Sequence, residues 1–364
     1  MFVIRQARAG DLDDLHALAK QTYFINLPPD RDIIAAKIAQ SARSFQSLAS
    51  GRRRTASGRV GTGVGAGIRD LTSNSDLFLL VLEDVEGRGV VGTSQVVARM
   101  GGRGHPRVYL RLGTITRRSE SLKIEWTHQT AELTRDEEGP TEIGGLILNH
   151  AFRGHRLRLG RLLSFARFHL IGLFRPRFAD RVVAEMLGPI DKNGYNPFFE
   201  KFTRHFVPRS FAEVYRFSQQ SKEFLTGLFP PGAIDLSIMD PEVASSAGAV
   251  SEETLPARLI LERLGFSFPQ HIDPMDGGPH LQARTDNLSL VRTTLRARAI
   301  EPLAARDLAR AGASDLIVST LDATGEFRAV QTSGRVEPRA RVLLPREAAV
   351  PLLSPATVLG VTRL

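Results

Sequence analysis

Several basic residues surround a single glycine in the segment RGHRLRLGRLL, which spans residues 153–163. They are Arg153, Arg156, Arg158 and Arg161, with Gly160 among them. An apolar run over residues 143–149 predicts a buried strand before them, and the apolar spacing after Gly160 predicts a helix. At such a junction, free backbone N–H groups and arginines can bind a pyrophosphate, and a glycine lets the backbone come close. The same arrangement is also common without a ligand, so this segment alone leaves both interpretations open.

The composition is that of an ordinary folded protein. The chain has 364 residues, of which 42% are hydrophobic and 24% charged, which excludes a wholly disordered chain or a collagen. One large or two moderate domains are expected. Cysteine is absent, so disulfides and thiolate sites are excluded, and we expect no metal site. With no apolar stretch long enough for a membrane helix and no signal-peptide pattern, we expect a cytoplasmic protein without membrane contact.

The net charge of +9 raises the question of a nucleic-acid partner. The basic residues are mostly dispersed among acidic ones, and the only tight run is Arg52-Arg53-Arg54. This dispersal favours a composition rich in arginine over a nucleic-acid surface. A charged pocket for an anionic small molecule is compatible with both interpretations.

The N-terminal part of the chain predicts a strand, two helices and a hairpin. Residues 2–7 predict a strand, and two amphipathic segments follow, the first after Asp11 and the second after Pro28-Pro29. Residues 49–75 are rich in glycine and small polar residues and predict a flexible insertion. Two β-rich runs then flank Glu86-Gly87-Arg88-Gly89, which predicts a hairpin.

Strand and helix patterns continue to the C-terminus. Residues 107–116 and 181–187 predict strands, and residues 255–266 predict a helix that ends at Gly265. After about residue 290, short β-rich runs predict a small β piece. We therefore divide the chain into residues 1–190, residues 191–290 and a C-terminal piece of residues 291–364.

This order of elements predicts an α/β fold of the acyl-CoA N-acyltransferase type. The expected architecture is a mixed sheet with flanking helices, in two related halves, followed by the C-terminal β piece. Several blocks of the sequence resemble the arginine N-succinyltransferase family. The blocks are VIRQARAGDLDDL, LFLLVLEDVEGRGVVGTSQV, LRLGT, FRPRFADRVVAEMLGPIDKNGYNPFFEKFTRHF, LERLGFSFPQHIDPMDGGPHLQA and LSPATVLGVTRL. Their common order makes the resemblance specific.

The resemblance implies a reaction in which the α-amine of L-arginine attacks the thioester of succinyl-CoA. A base must accept the amine's proton, and backbone N–H groups must stabilise the oxyanion. Leu146 lies where the family's strand contacts succinyl-CoA, and Ile147 and Leu148 continue that strand. The acyl-CoA is expected as a co-substrate, with no permanently bound cofactor.

The chain departs from the family at several polar positions. The family's proton-donor histidine is Gly232 here, which casts doubt on activity, and its arginine after Ala-Glu-Met is Leu187. Its histidine after the Gly-Thr strand falls on Arg117, and an Asn-Asp pair is Arg135-Asp136. We predict that Arg117 and Asp136 contact the substrate, and that these changes alter which amine or acyl group fits.

Further site candidates come from the other blocks. Glu185 is the candidate carboxylate near the amine, His205 a candidate base and Tyr195 a candidate donor to the thiolate, although each also fits a structural role. Asp191 and Asp276 are candidate substrate contacts that could instead close turns. The aromatic residues are predicted to be buried, namely Trp126, Phe198, Phe199, Phe202 and Phe206.

Two alternatives to this function stay open. The chain could acylate a different amine or use a different acyl-CoA. It could also be a non-catalytic subunit that pairs with an active paralogue, so a homo- or hetero-oligomer is possible. A nucleic-acid partner is disfavoured.

Overall fold

The computed structural model describes residues 1–21, 26–51, 75–101, 106–218, 221–300, 302–310, 312–346 and 358–364. The strands are β1 (Phe2–Gln6), β2 (Leu77–Asp84), β3 (Gly89–Val97), β4 (Arg107–Ser119), β5 (Ile124–Asp136), β6 (Thr141–Leu148), β7 (Arg181–Glu185), β8 (Ala233–Asp235), β9 (His271–Ile272), β10 (His280–Arg284), β11 (Leu295–Ala299), β12 (Ser314–Leu321), β13 (Phe327–Glu337), β14 (Arg341–Leu343) and β15 (Leu359–Arg363). The helices are α1 (Leu12–Ala19), α2 (Arg31–Ala49), α3 (Leu159–Leu173), α4 (Pro197–Lys201), α5 (Phe211–Ser218), α6 (Glu223–Leu228), α7 (Pro241–Ser246), α8 (Leu255–Leu264), α9 (Ser289–Thr293) and α10 (Ala305–Arg310).

The strands form a large mixed sheet and a small antiparallel one. The large sheet has 11 strands in the order β10-β7-β6-β3-β2-β1-β13-β12-β15-β11-β14, and the small one has the order β8-β5-β4-β9. Most neighbours in the large sheet are antiparallel, but β6 and β7 are parallel, as are β11 and β14. The mixed α/β architecture predicted from the sequence is therefore confirmed.

Helices cover both faces of the large sheet. Side chains of α3 such as Leu162 and Phe168 pack on one face, in the same cluster as Leu80 and Leu82 of β2. Side chains of α1 and α2 pack on the other face, in the same cluster as Leu79 and Val81. Because β2 is buried on both faces, its sequence is a continuous apolar run instead of an alternating one.

A second core lies between the small sheet and helices α4 to α7. It contains Phe198, Phe199 and Phe202, as predicted, and Phe206 packs against it half-buried. Trp126 was predicted to be buried, but it is 63% exposed, so that prediction is wrong. The reason is that Trp126 lies on a part of β5 that extends beyond this core.

The last five strands form a closed barrel that continues the large sheet. Strand β14 pairs with both β11 and β13, which closes the ring, and residues such as Val318, Val342 and Val361 fill its interior. Strand β13 also pairs with β1, so the C-terminal β piece is joined to the N-terminal part of the sheet. The three-part division of the chain stays a prediction.

Local signals in the sequence set several boundaries. The Asp30 side chain accepts hydrogen bonds from two backbone N–H groups at the start of α2. Gly265 ends α8 in a left-handed conformation. Of the predicted insertion, residues 49–51 are the end of α2 and the turn after it, and residues 52–74 lie outside the described residues. None of the helices in the described ranges is long and apolar enough to cross a membrane.

Candidate active site

Strand β6 leaves its parallel neighbour after only two residue pairs. Thr141 pairs with Val182 and Glu142 with Val183, and the strands then diverge. On its other edge β6 follows β3, with a register shift between Thr93 and Gln95. Opposite that shift Gly145 has a φ of +57°, a conformation that favours glycine.

The divergence leaves one edge of β6 open. Within the described residues no strand pairs with this edge from residue 143 to residue 148. It includes Leu146, Ile147 and Leu148, the positions predicted to contact the acyl-CoA. An open strand edge can bind an extended molecule through its main-chain N–H and C=O groups.

The predicted anion site lies directly after this strand. Arg158 adopts a left-handed conformation at the N-terminus of α3, and its carbonyl accepts hydrogen bonds from the N–H groups of Arg161 and Leu162. The N–H groups of Leu159 and Gly160 have no acceptor among the described residues. The first turn of the 15-residue helix α3 contains no acidic residue, so the helix dipole and the free N–H groups favour an anion there.

The four arginines of this loop differ in their surroundings. Arg153 forms an ion pair with Glu253 at 3.4 Å, and the Arg161 guanidinium lies 5.3 Å from the centre of the Phe165 ring. Arg156 and Arg158 are exposed, and neither forms an ion pair with another described residue. Arg156 and Arg158 are therefore the two side chains best able to meet a phosphate.

A group of charged side chains is buried where the two sheets meet, and we call it the interlayer cluster. Its members are Arg107, Glu142, Glu185, Lys222, Asp273, Asp276 and His280. The side chains come from β4, β6, β7, β10, the loop after β9 and the residue before α6. Buried charges require partners, so these groups depend on one another.

Glu185, Arg107 and His280 form the centre of the interlayer cluster. The Arg107 Nε donates to Glu185 Oε1 at 3.0 Å, and a second nitrogen of Arg107 donates to His280 Nδ1. Because arginine can only donate, the neutral His280 ring carries its proton on Nε2. That nitrogen lies 3.7 Å from Glu185 Oε1 and 3.9 Å from Asp273 Oδ2.

The electrostatics of this centre lower the pKa values of both Glu185 and His280. Burial alone would raise the pKa of Glu185, but His280, Lys222 and Arg107 outweigh it and lower the pKa below its ordinary value. Burial lowers the pKa of His280, and Arg107 adds to this effect against the charge of Glu185. The structure therefore brings Glu185 into the site as a paired carboxylate.

Glu142 is one of five residues of the interlayer cluster that the sequence did not single out, the others being Arg107, Lys222, Asp273 and His280. Burial and the neighbouring Glu185 raise its pKa to about 7, against the opposing charges of Lys222 and Lys37. Its Oε1 is buried and has no hydrogen-bond partner. Glu142 lies where β6 and β7 begin to diverge. A carboxylate with such a pKa is suited to accept a proton near neutral pH.

The loop of residues 273–278 holds Asp273 and Asp276 beside the end of β7. The Oδ1 of Asp273 accepts from the N–H of Met275, and the Oδ1 of Asp276 accepts from the N–H of Gly278, both at 2.7 Å. Gly188 packs against this loop, because a Cβ at that position would lie 2.1 Å from the Asp276 carbonyl oxygen. Burial and Asp273 raise the pKa of Asp276 well above its ordinary value.

Several buried atoms of the interlayer cluster have no hydrogen-bond partner. They are Glu142 Oε1, Glu185 Oε2, Lys222 Nζ, Asp273 Oδ2, Asp276 Oδ2 and His280 Nε2. Buried polar atoms are nearly always satisfied, and exceptions are often found where chemistry occurs. The interlayer cluster can thus accept, donate or relay protons.

Three members of the interlayer cluster also have the spacing of metal ligands. Glu185, Asp273 and His280 offer atoms that lie within 4.8 Å of one another. However, Lys222 Nζ lies 3.9 Å from Glu185 and Arg107 bonds to the same carboxylate. These two positive charges compete with a metal ion, so the arrangement favours proton chemistry.

The structure brings together only part of the predicted site. Besides Glu185 and Asp276, it places Asp136 next to the interlayer cluster, 2.6 Å from Arg181 and 3.9 Å from Arg107. The remaining candidates lie at exposed positions outside the cluster, namely Arg117, Asp191, Tyr195 and His205. Their roles stay predictions.

Two of these positions have a visible structural role. Asp191 closes a turn, because its Oδ1 accepts from the N–H groups of Asn193 and Tyr195, both at 2.8 Å. Asp276 closes a turn as well, through its bond to Gly278. Both residues therefore close turns, which is the alternative role that the sequence analysis left open. Their contact with substrate stays a prediction.

Gly232 has a backbone that a histidine would rarely adopt. Its φ is +83°, and it precedes β8, which pairs with β5. Leu187 is buried just after β7. The departures from the family pattern therefore lie in folded, well-defined surroundings.

Parallel strands that diverge next to a bulge, followed by a helix N-terminus with free N–H groups, are the features of an acyl-CoA N-acyltransferase fold. Comparison with known proteins identifies the family. Residues 2–57 and 64–290 match the family model described as "Arginine N-succinyltransferase beta subunit". The chain therefore belongs to the arginine N-succinyltransferase family.

Individual relatives agree with this assignment. The chain is 29% identical to the arginine N-succinyltransferase of Yersinia enterocolitica, covering 96% of this chain and 94% of the relative. It is 30% identical to that of Enterobacter sp. (strain 638), covering 80% and 78% of the two chains. The solved structure of arginine/ornithine succinyltransferase subunit AI from Pseudomonas aeruginosa has the same fold, with a TM-score of 0.77 and 24% identity over 100% of this chain and 98% of that one.

Proposed function

We propose that this protein transfers the succinyl group of succinyl-CoA to the α-amine of L-arginine. In this reaction the N–C bond of N2-succinylarginine forms and the C–S bond of the thioester breaks. The amine loses a proton, and the departing CoA thiolate takes one up. The observation that carries the proposal is the open edge of β6 between Glu142 and the N-terminus of α3, in a chain of this family.

The coenzyme would bind along β6 and at the start of α3. The N–H groups of Leu159 and Gly160, with Arg156 and Arg158, would hold its phosphates. The pantetheine arm would form main-chain hydrogen bonds with the open edge near Leu146. In this binding mode the thioester would lie beside the interlayer cluster.

Glu142 would act as the base. The attacking amine must be neutral, so a base must accept its proton, and a carboxylate with a pKa of about 7 can do so near neutral pH. Lys222 and Glu185 would tune Glu142 from the adjacent positions. Backbone N–H groups of the bulge in β6 are available for the oxyanion.

The leaving group needs little help. A thiol ionises near pH 8.5, so a CoA thiolate can depart without a strong acid. The loss of the family's histidine at Gly232 would slow this step, since a general acid contributes roughly 10²–10⁴ in rate, but it would not prevent transfer.

A product assay with purified full-length protein tests the proposal. Mass spectrometry of reactions with a panel of acyl-CoAs and amino acids should show succinylarginine as the main product. A different main product would establish the second candidate, an altered substrate, which Leu187 and Arg117 favour. CoA binding without any product, with turnover restored only by an added paralogue, would establish a non-catalytic subunit.

A further inference from the structure

The hairpin of β4 and β5 extends far beyond the strands that flank it. The two strands pair over 13 residue pairs, but β9 covers β4 only at Leu110 and Arg111 and β8 covers β5 only from Thr130 to Glu132. Within the described residues no third strand pairs with residues 113–119 or 124–129. We call residues 113–129 the arm.

One face of the arm is apolar and exposed to solvent. The facing pairs on it are Ile115 with His128, Arg117 with Trp126, and Ser119 with Ile124. The exposed fractions are 42% for Ile115, 48% for Ile124, 63% for Trp126 and 70% for Leu122 at the tip. Ile238, which is 77% exposed, extends this face, because Ser237 beside it bonds to His128.

The opposite face of the arm is polar. It carries Thr114, Thr116 and Arg118 on β4 with Glu125 and Thr127 on β5. The arm is therefore an amphipathic ribbon. Its apolar face is left exposed to solvent by the part of the chain that the structure describes. A two-stranded ribbon is marginally stable on its own, and contiguous apolar patches mark interaction sites.

The exposed area is in the range of a protein interface. With roughly 150–250 Å² for a full large side chain, the exposed fractions amount to about 500 Å² of apolar surface. A standard interface buries about 800 Å² on each partner. The apolar face would thus supply most of one side of a stable contact.

We propose that the apolar face of the arm packs against the same face of a second copy of this chain. A two-fold dimer uses one patch twice, so the patch must complement itself. Arg117 and Trp126 meet this condition, because antiparallel stacking of two arms would place each Arg117 guanidinium over Trp126 of the partner subunit. The face carries Arg117, and the Asp235 carboxylate lies at its edge, 3.4 Å from His128 Nδ1. The face therefore presents charges of both signs, which fits a self-complementary contact.

The contact is tested by the oligomeric state of the full-length protein. Size-exclusion chromatography with light scattering should show a dimer that dissociates on dilution. Trp126 is the only tryptophan, so its quenching by acrylamide should increase as the dimer dissociates. The double variant Leu122→Ser/Trp126→Thr should raise the dimer dissociation constant at least thirtyfold, since a buried tryptophan is a typical hot spot.

A matched control separates this contact from general surface effects. Leu255 and Leu259 on α8 are each 45% exposed, and the variant Leu255→Ser/Leu259→Ser should dimerise like the wild type. Circular dichroism checks that both variants are folded. A wild-type protein that is monomeric at all concentrations, or that pairs only with a different chain, would overturn the proposal, as would an arm variant that dimerises normally.

Discussion

Glu142 of β6 lies at the last residue pair between the parallel strands β6 and β7, and the charge of Glu185, two residues further along β7, raises the pKa of Glu142. Lys222 is the buried cation that faces both carboxylates. This arrangement keeps Glu185 charged and Glu142 near its titration midpoint at neutral pH. In the proposed reaction Glu142 would be the base, a role separate from that of the proton-donor histidine that the family has at the position of Gly232.

The first prediction concerns the base. Glu142→Gln should lower kcat by about 10²–10⁴ because the amine loses its proton acceptor. In the wild type, kcat/KM should fall as the pH drops below about 7, where Glu142 becomes protonated. The control Glu137→Gln removes an exposed carboxylate near the same strand and should leave both measurements unchanged.

The same pKa predicts a change in stability that does not depend on catalysis. Because the pKa of Glu142 is raised from 4.5 to about 7, ionisation of this residue opposes folding, and stability is lost as the pH rises through the folded-state value. The stability of Glu142→Gln relative to the wild type should therefore increase when the pH is raised from 5 to about 8. Thermal unfolding at the two pH values measures this, and an equal difference at both would argue against the shifted pKa.

Much of the fold follows from local patterns, but the interlayer cluster does not. The hairpin around Gly87, the helix ended by Gly265 and the junction before Gly160 are each encoded within a few residues, which is why the sequence predicts them. Burial and Glu185 raise the pKa of Glu142, and Lys222 opposes that shift. Glu185 and Lys222 are both distant from Glu142 in the chain. Only the three-dimensional fold brings these groups together.

Trp126 shows a second limit of sequence-based prediction. Hydrophobicity alone predicts burial for a tryptophan, but the sequence does not show that β5 continues past the strands that cover it. The segment EWTHQTAELTRD (125–136) is mostly polar and shows no regular apolar alternation, so the sequence does not predict β5.

The next prediction concerns the buried ion pair. Arg107 and Glu185 have side chains that are each 2% exposed, so Arg107→Met would remove the hydrogen-bonded cation of a buried carboxylate and should cost about 3–5 kcal/mol of unfolding free energy. Arg111→Met, on the same strand, breaks an exposed pair with Glu132 and should cost at most about 1 kcal/mol. Denaturant unfolding compares the two, and equal losses would show that Arg107 does not balance Glu185.

Coenzyme affinity should depend on which arginine of the loop is changed. Arg158→Gln removes an exposed charge at the start of α3 and should weaken acyl-CoA binding about tenfold or more. Arg153→Gln removes a residue that already pairs with Glu253 and should have a smaller effect. Calorimetric titration with a CoA ester measures both, and a larger effect at Arg153 would contradict this placement of the phosphates.

The left-handed backbone conformation of Gly232 leads to a prediction about stability. Gly232→His should destabilise the fold by roughly 1–2 kcal/mol, because an L-residue is strained at a positive φ. Gly232→Asn should cost less, since asparagine tolerates this conformation better. Thermal unfolding of the two variants measures both losses of stability. A histidine variant as stable as the asparagine variant would show that the backbone at residue 232 is not strained by an L-residue.

The most direct test of acyl transfer is the release of CoA thiol from succinyl-CoA by the purified protein, followed with and without L-arginine. We predict release that saturates with both substrates and that requires the amino acid. If no acyl-CoA releases thiol with any amine, and none of them binds, the proposed function is wrong.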